Sequence, residues 1–301
     1  MKRAKSLWRI SVATLPETED AVGEFLASLF GQASVIYFDL ERQTSLVSVF
    51  IEQGKFLPGG ARGEIAAGLK RINRFGLKTG PGKIEIARVK REDWAESWKR
   101  HFFPIEIGKS LLVKPSWSKK KPAKKQAVII LDPGLSFGTG QHPTTSFCLN
   151  EIARCRKIGT QTPSFLDIGT GSGILAIAAA KLGYQPVHAF DFDPESVRVA
   201  KENLRRNRVA DRVKLSRDDV TKMPLEPARR FDLVCANLIS SLLIAERRRI
   251  TKRLKPGGTL VLAGILAAEF AEVEQAFADM QLRLHSSRVE NEWCSGAFCF
   301  G

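Results

Sequence analysis

The stretch SFLDIGTGSGILAIAAA, residues 164–180, places a glycine-rich turn between an apolar strand and an alanine-rich helix. Gly169, Gly171 and Gly173 let the turn bring its backbone close to a ligand, because no Cβ stands in the way. The spacing G-x-G-x-G differs from the G-x-G-x-x-G of dinucleotide sites, and no Gly-Lys-Ser/Thr follows as in a phosphate-binding loop. By itself the turn indicates either a ligand site or a tight structural connection.

An acidic residue follows the glycine turn at the end of the next predicted strand. Asp191 stands 24 residues after Asp167. A carboxylate there can accept hydrogen bonds from both ribose hydroxyls of an adenosine. Asp193 precedes Pro194, a pair typical of a helix N-cap followed by proline in the first turn. We therefore assign Asp191 to a ribose and Asp193 to the cap, and the two features together predict an adenosine ligand.

A second glycine-rich segment, LDPGLSFGTGQHPTT at residues 131–145, precedes a helix that starts near Pro143. Its glycines and threonines give it more conformational freedom than a structural connection needs. We expect a flexible lid whose amides and hydroxyls close over a polar ligand group, and the alternative is a plain connector. His142 lies in this segment, where a turn or capping role competes with a catalytic one.

The segment FDLVCANLI, residues 231–239, ends a further predicted strand at Asn237. Ligands of parallel sheets bind at the carboxyl ends of the strands, so this side chain is a candidate contact. A methyltransferase that acts on a planar adenine or amide nitrogen usually has Pro-Pro and an aromatic residue after this Asn. Leu238 and Ile239 follow here, which speaks against a base as substrate. The alternative is that Asn237 is only a strand-end turn residue.

The predicted elements divide the chain into two folded parts. Residues 1–90 show the order β-α-β-β-α-β of a ferredoxin-like domain, and residues 91–126 are typical of a linker helix and connecting strands. Strands and helices alternate over residues 127–301, which predicts a mainly parallel sheet with helices on both faces. In this series Ala127–Leu131 is the first strand, and one helix covers residues 240–254.

The net charge of +15 is the unusual bulk property. It indicates a polyanionic partner, a partner that lies among nucleic acid, or merely high solubility. The basic run Lys119–Lys125 lacks aromatic residues and is interpreted as a solvated loop rather than a binding patch.

The remaining composition, 44% hydrophobic and 26% charged, is that of an ordinary globular protein. No apolar stretch approaches the roughly 18–20 residues that span a bilayer, and the first residues lack the apolar core of a secretory signal. The five cysteines form no C-x-x-C pair and the four histidines are scattered, so neither a metal site nor a disulfide framework is expected. We expect a reduced, cytoplasmic protein with no membrane partner.

Taken together, these segments resemble the PrmA family, the methyltransferases of ribosomal protein eleven of the large ribosomal subunit. The resemblance runs over roughly residues 90–294 and rests on the two glycine-rich segments and on the Asn237 motif. Further matching motifs are Trp94, Trp98, Phe103-Pro-Ile, Lys114-Pro-Ser-Trp and Glu292-Trp-Cys. Two places depart from the family pattern: Gln141 stands where Thr is common, and residues 295–301 are more apolar than the usual polar end.

The resemblance implies a Rossmann-like class I methyltransferase domain, with a seven-stranded and mostly parallel sheet, behind a small ferredoxin-like domain that recognises the substrate protein. It implies S-adenosyl-L-methionine as the cofactor and no metal. The residues expected to bind this cofactor are Thr145, Gly169, Gly171, Asp191 and Asn237.

The expected reaction is transfer of methyl groups from S-adenosylmethionine to amino groups of ribosomal protein eleven, either lysine side chains or the terminal amine. No residue stands out as the general base. A monomeric enzyme would bind the substrate protein either free or on the ribosome, with incidental RNA contact. The alternatives are an RNA methyltransferase, a methyltransferase of another basic protein, a binding module that has lost activity, and a NAD-dependent oxidoreductase.

Overall fold

The computed structural model describes residues 6–32, 34–39, 44–52, 58–74, 77–90, 103–132, 142–157 and 162–301. Its internal contacts divide the chain into two units, residues 1–102 and 103–301. The predicted linker helix, with Trp94 and Trp98, and most of the predicted lid, with Gln141, lie outside the described residues. The predicted domain bounds and the recognition role of the first domain stay predictions.

The amino-terminal unit has the element order β-α-β-β-α-β. The elements are β1 (Ser6–Thr14), α1 (Glu19–Phe30), β2 (Val35–Asp39), β3 (Thr44–Glu52), α2 (Pro58–Arg74) and β4 (Ile84–Lys90). The antiparallel strands lie in the order β2-β3-β1-β4. Ile10 and Val12 alternate with polar residues along β1 and are fully buried, because one face of the sheet packs on the helices. Gly31 ends α1 in the left-handed conformation.

A separate three-stranded sheet opens the carboxyl-terminal unit. It consists of β5 (Ile105–Ile107), β6 (Leu111–Lys114) and β7 (Ala127–Ile130), with β7 parallel to β6. The prediction that residues 127–131 begin the main sheet was therefore wrong. On the side of β7 away from β6, a side chain takes the place of a neighbouring strand. The Asn207 amide accepts a hydrogen bond from the Ile130 N–H at 2.8 Å and donates one to the Ile130 carbonyl at 2.7 Å.

The main sheet has seven strands in the order β10-β9-β8-β11-β12-β14-β13. These strands are β8 (Phe165–Ile168), β9 (Val187–Asp191), β10 (Val213–Arg217), β11 (Phe231–Asn237), β12 (Leu254–Leu266), β13 (Leu282–Glu290) and β14 (Trp293–Phe300). The first five in spatial order are parallel, and β14 is antiparallel to both of its neighbours. The predicted fold class, a mostly parallel Rossmann-like sheet with a small α+β domain before it, is confirmed.

Helices cover both faces of this sheet. They are α3 (Pro143–Lys157), α4 (Ile174–Lys181), α5 (Pro194–Arg206), α6 (Ser240–Ala245), α7 (Arg247–Lys252) and α8 (Phe270–Ala278). Residues 174–180 of α4 are all buried, which small alanine side chains allow in a helix that packs on α3, α5 and the sheet. No helix in the described ranges is both long and apolar enough to cross a membrane.

Two further expectations are corrected. The single helix predicted over residues 240–254 is two short helices, because the backbone leaves the helical region at Glu246 (φ −100°, ψ 12°). The apolar tail is explained by its position: β14 lies between β12 and β13, so that Cys294 through Phe298 are buried. A strand flanked on both sides within a covered sheet requires such residues.

Candidate functional site

Three of the predicted site residues lie at the same edge of the main sheet. Ile168 is in register with Phe190 on one side and with Ala236 on the other. The next residue of each strand is Gly169, Asp191 and Asn237, so Gly169 lies between the other two. Neighbouring strands are about 4.8 Å apart, which puts the α-carbons of Asp191 and Asn237 roughly 10 Å apart. The carboxyl edge therefore presents a carboxylate and an amide on either side of a glycine turn.

The glycine turn depends on the absence of side chains. Gly169, Gly171 and Gly173 have φ values of +72°, +51° and +82°, in the left-handed region that glycine adopts readily. A Cβ at Gly169 would lie 2.5 Å from Cδ2 of Leu238, and one at Gly173 would lie 3.2 Å from Cβ of Ala200. The turn is thus closely packed against Leu238 and α5, and its Gly171 N–H donates to the Asp191 carboxylate.

Asp191 is held by the backbone of the turn itself. Its side chain is buried, with Oδ2 accepting from the Gly171 N–H at 2.9 Å and Oδ1 from the Asp193 N–H at 3.1 Å. A carboxylate can accept about four hydrogen bonds, so each oxygen keeps one position for a further donor. Asp191 is therefore fixed in place with capacity for two ligand hydroxyls.

The N-cap predicted at Asp193 is confirmed. Its carboxylate accepts from the backbone N–H groups of Glu195 at 3.1 Å and Ser196 at 3.0 Å. The first of these bonds is the largest cause that lowers the pKa of Asp193. The Ser196 hydroxyl donates to the same carboxylate at 3.0 Å, so Asp193 is engaged in starting α5, and we keep the ribose role for Asp191.

Asp167 is a further candidate site residue that was not among those predicted from the sequence. Its Oδ2 accepts from the Thr170 hydroxyl at 2.6 Å and from the Ala176 N–H at 3.2 Å, while its buried Oδ1 has no partner among the described residues. Burial raises the pKa of Asp167 to about 7, and the neighbouring charge of Asp191 acts in the same direction. A buried carboxylate oxygen with no donor is suited to a cationic ligand group. The sequence feature that could have identified Asp167 is an acidic residue within an apolar strand, just before a glycine turn.

Thr145 lies in the first turn of α3, whereas the other four predicted residues lie in the glycine turn or at strand ends. Its buried hydroxyl oxygen meets no partner in the described part of the chain, so it too can accept a ligand donor. Nearby, His142 Nδ1 lies 2.7 Å from the Thr144 hydroxyl, and its ring meets Trp293 edge-on at 5.0 Å. This gives His142 a capping and packing role at the start of α3.

Two large apolar side chains stand exposed beside the polar strand ends. Phe192 directly follows Asp191 and is 69% exposed, and Ile239 follows Asn237 by two residues and is 66% exposed. Ligand sites combine apolar walls with a few placed polar groups, and these side chains are candidates for such walls. Phe192 was not predicted from the sequence, because an aromatic residue was expected only after Asn237.

The arrangement fits an adenosine that carries a cationic amino-acid tail. Asp191 has free acceptors for a ribose, Phe192 can cover a purine ring, and the unpaired oxygens of Asp167 and Thr145 can receive an ammonium group. Within the described ranges, no group of three or more His, Cys, Asp or Glu side chains is placed to hold a metal ion.

The pKa of Asp167 leads to a pH prediction. If the ionised carboxylate receives the cofactor's ammonium group, affinity for S-adenosylmethionine should rise about eightfold between pH 6 and 7.5, as a group of pKa about 7 loses its proton. Because burial raises this pKa, the contribution of Asp167 to the free energy of unfolding falls over the same rise in pH. Titration calorimetry of Asp167→Asn should show a flat affinity profile, and a profile that still rises eightfold would exclude the role.

Comparisons with known proteins cover both units of the chain. The model of the family "Ribosomal protein L11 methyltransferase (PrmA)" matches residues 7–298. A protein named ribosomal protein L11 methyltransferase from Chloroflexus aurantiacus is 42% identical over 233 residues, 70% of each chain. One of the same name from Geobacter metallireducens is 36% identical over 287 residues, 91% of each chain. The crystal structure of a ribosomal protein L11 methylase from Lactobacillus delbrueckii subsp. bulgaricus has a TM-score of 0.59 and 30% identity, covering 66% of this chain and 99% of that one.

Proposed function

This chain belongs to the ribosomal protein L11 methyltransferase (PrmA) family, and on that premise we propose that it transfers methyl groups from S-adenosylmethionine to amino groups of ribosomal protein L11. The observation that carries the proposal is the Asp191 carboxylate. It is locked by the N–H groups of Gly171 and Asp193 and keeps two acceptor positions at the carboxyl edge of the sheet. That geometry supports binding of the cofactor's ribose.

The site residues are proposed to bind different parts of the cofactor. Asp191 receives the ribose hydroxyls, the Gly169–Gly171 turn approaches the ligand with its backbone, and Asn237 lines the opposite side. Thr145 and Asp167 receive the amino-acid end, since their buried oxygens otherwise lack donors. When bound, the cofactor supplies an electrophilic methyl group, and the protein contributes alignment and exclusion of water.

The acceptor amine must lose a proton before it can attack. A lysine amine of pKa about 10.4 is protonated at pH 7, and removing that proton costs about 4.6 kcal/mol. An apolar site disfavours the ammonium form, and the exposed Ile239 provides apolar surface beside Asn237. We assign no general base, because His142 is already engaged with Thr144 and Trp293.

The domain roles belong to the same proposal. The ferredoxin-like domain, residues 1–90, recognises the substrate protein, residues 91–126 connect it, and residues 127–301 carry the reaction. The enzyme is proposed to act as a monomer. We place the enzyme in the cytoplasm because its proposed substrate is a ribosomal protein.

The test of the proposal is methylation with labelled cofactor. Incubation of the enzyme with methyl-labelled S-adenosylmethionine, separated ribosomal proteins and ribosomal RNA should label ribosomal protein L11. Asp193→Ala, which removes only the helix cap, should retain labelling, whereas Asp191→Ala should lose it. The charge of +15 keeps an RNA methyltransferase as the second candidate. Label in RNA with none in L11 would establish that alternative instead.

A further inference from the structure

A side-chain hydrogen bond joins two loops at the carboxyl edge of the main sheet. The Ser240 hydroxyl donates to the Glu269 carboxylate in a partly buried position. Ser240 is the first residue of α6, in the connection that follows β11, and Glu269 directly precedes α8, in the connection that follows β12. Both connections start at the edge that carries the proposed cofactor site, and Ser240 lies three residues after Asn237.

Helix capping does not account for the Ser240–Glu269 bond. Polar side chains at the start of a helix commonly accept hydrogen bonds from its first N–H groups. Glu269 occupies the N-cap position of α8, but its carboxylate accepts no capping bond from that helix. The N-cap position of α6 is held by Ile239, which has no side-chain cap either. The two polar side chains bind each other across the two connections instead.

The loop from Asn237 to Ser240 is held in different ways at its two ends. Asn237 is in register with Ala263 of β12, and the Leu238 N–H donates to the Ala263 carbonyl at 3.0 Å. Sheet bonding therefore fixes Asn237 and Leu238. At the other end of the loop, the Ser240 hydroxyl bonds to the connection after β12 through Glu269.

Ile239 lies between these two ends, and its side chain is exposed. In the sheet, Gly169 lies between Asp191 and Asn237, so the ribose proposed at Asp191 is on the other side of the glycine turn from Ile239. An apolar side chain disfavours a neighbouring ammonium ion and so favours the neutral amine that attacks the methyl group. Ile239 is therefore suited to contact the acceptor amine and not the ribose.

We propose that Glu269 is a positioning residue for the acceptor amine. Through its bond to Ser240, it holds Ile239 where the amine of the substrate protein meets the cofactor's methyl group. The inference rests on the proposed function, because it takes a protein amine as the acceptor. Glu269 itself contacts neither reactant in this assignment. A misplacement of about 1 Å can slow a reaction about a hundredfold, so one bond in this loop is sufficient for a large effect.

The test uses variants that separate the hydrogen bond from the charge of Glu269. Glu269→Ala and Ser240→Ala both remove the bond, but Ser240→Ala keeps the carboxylate. Glu269→Gln removes the charge and keeps an oxygen that accepts from the Ser240 hydroxyl, while Ser240→Thr keeps a hydroxyl donor. Glu272→Ala is the matched control, because it removes an exposed acid from the first turn of α8.

The first readout is the steady-state methylation of free ribosomal protein L11. The two alanine variants should lose at least about tenfold in kcat/KM for L11, while titration calorimetry shows an affinity for S-adenosylmethionine within about twofold of the wild type. The double variant should lose no more than either single one, because both remove the same bond. Glu269→Gln, Ser240→Thr and the control should stay within about threefold of the wild type.

Three results would overturn the positioning role. If Glu269→Gln loses as much as Glu269→Ala while Ser240→Ala keeps its activity, the carboxylate acts through its charge. If the alanine variants lose cofactor affinity as much as they lose kcat/KM, the bond supports the whole site and not the acceptor side. If both alanine variants keep wild-type kinetics, the bond has no role in the reaction.

Hydrogen exchange tests the bond without an assay of activity. The N–H groups of Leu242 and Leu243 donate to the Ile239 carbonyl in the first turn of α6. Their exchange should be at least about tenfold faster in both alanine variants, with the Ile250 N–H of α7 as an unchanged reference. Unchanged exchange at both leucines would refute the claim that the bond holds this loop. Absence of L11 methylation by the wild type would instead refute the proposed function, and the exchange rates would still decide whether Glu269 holds Ile239.

Discussion

Replacing Asp191 with alanine is expected to weaken binding of S-adenosylmethionine at least about a hundredfold. Hydrogen bonds to a charged group contribute about 1.5–3 kcal/mol each, and the carboxylate has two free acceptors for the ribose hydroxyls. The variant also removes the acceptor for the N–H groups of Gly171 and Asp193, so the glycine turn loses its support. Isothermal titration measures the affinity directly.

Asp193→Ala is the matched control, since it removes an acid two residues away. It should lower the free energy of unfolding by about 1 kcal/mol through loss of the N-cap and change the affinity by only a few-fold. Asp191→Asn should bind better than Asp191→Ala, because an amide oxygen keeps some acceptors. If Asp191→Ala binds the cofactor as tightly as the wild type, the ribose assignment is wrong.

Gly264→Ala is expected to damage both stability and the site. Gly264 has φ +81°, and a Cβ there would lie 2.7 Å from the Leu238 carbonyl oxygen and 2.9 Å from Oδ1 of Asn237. The left-handed conformation costs alanine about 1–2 kcal/mol, and the clash with backbone adds about 1–3 kcal/mol. The expected loss of about 3 kcal/mol corresponds to a fall of roughly 10 °C in Tm. Displacement of Asn237 should also weaken cofactor binding.

Gly257→Ala separates backbone strain from the clash. Gly257 has φ +73°, but a Cβ there would meet nothing within 4 Å. The Gly257→Ala variant should lose only about 1–2 kcal/mol of its free energy of unfolding, from the left-handed conformation, and should keep its cofactor affinity. Differential scanning calorimetry and titration of both variants give the two readouts. Equal falls in Tm, with equal affinities, would show that Gly264 does not support Asn237.

The parts of the site that sequence could predict are those with a local signature. The glycine turn, the strand-end Asp191 and the cap at Asp193 each follow from residue types at fixed offsets. Gly264 could not be predicted this way, because its importance comes from β12 lying beside β11 and bringing it against Asn237. The sequence likewise does not show that Oδ1 of Asp167 is unpaired, because this depends on which hydrogen-bond donors lie near it in the folded chain.

The fold class and most of the helices and strands could be predicted from the sequence, but the pairing of the strands could be predicted less well. Strand β7 has the sequence of a sheet strand, but Asn207 occupies the side where another strand would pair. The tail could be recognised as apolar, yet only its position between β12 and β13 explains why. Pairing partners are set by contacts that are distant along the chain, and residue periodicity does not record them.

The most direct test of the central claim is the intact mass of ribosomal protein L11 from cells with and without this enzyme. L11 from cells that contain the enzyme should be heavier by a whole number of methyl groups. Without the enzyme, or with only its Asp191→Ala variant, L11 should have its unmodified mass. An identical mass of L11 in all these cells would contradict the account.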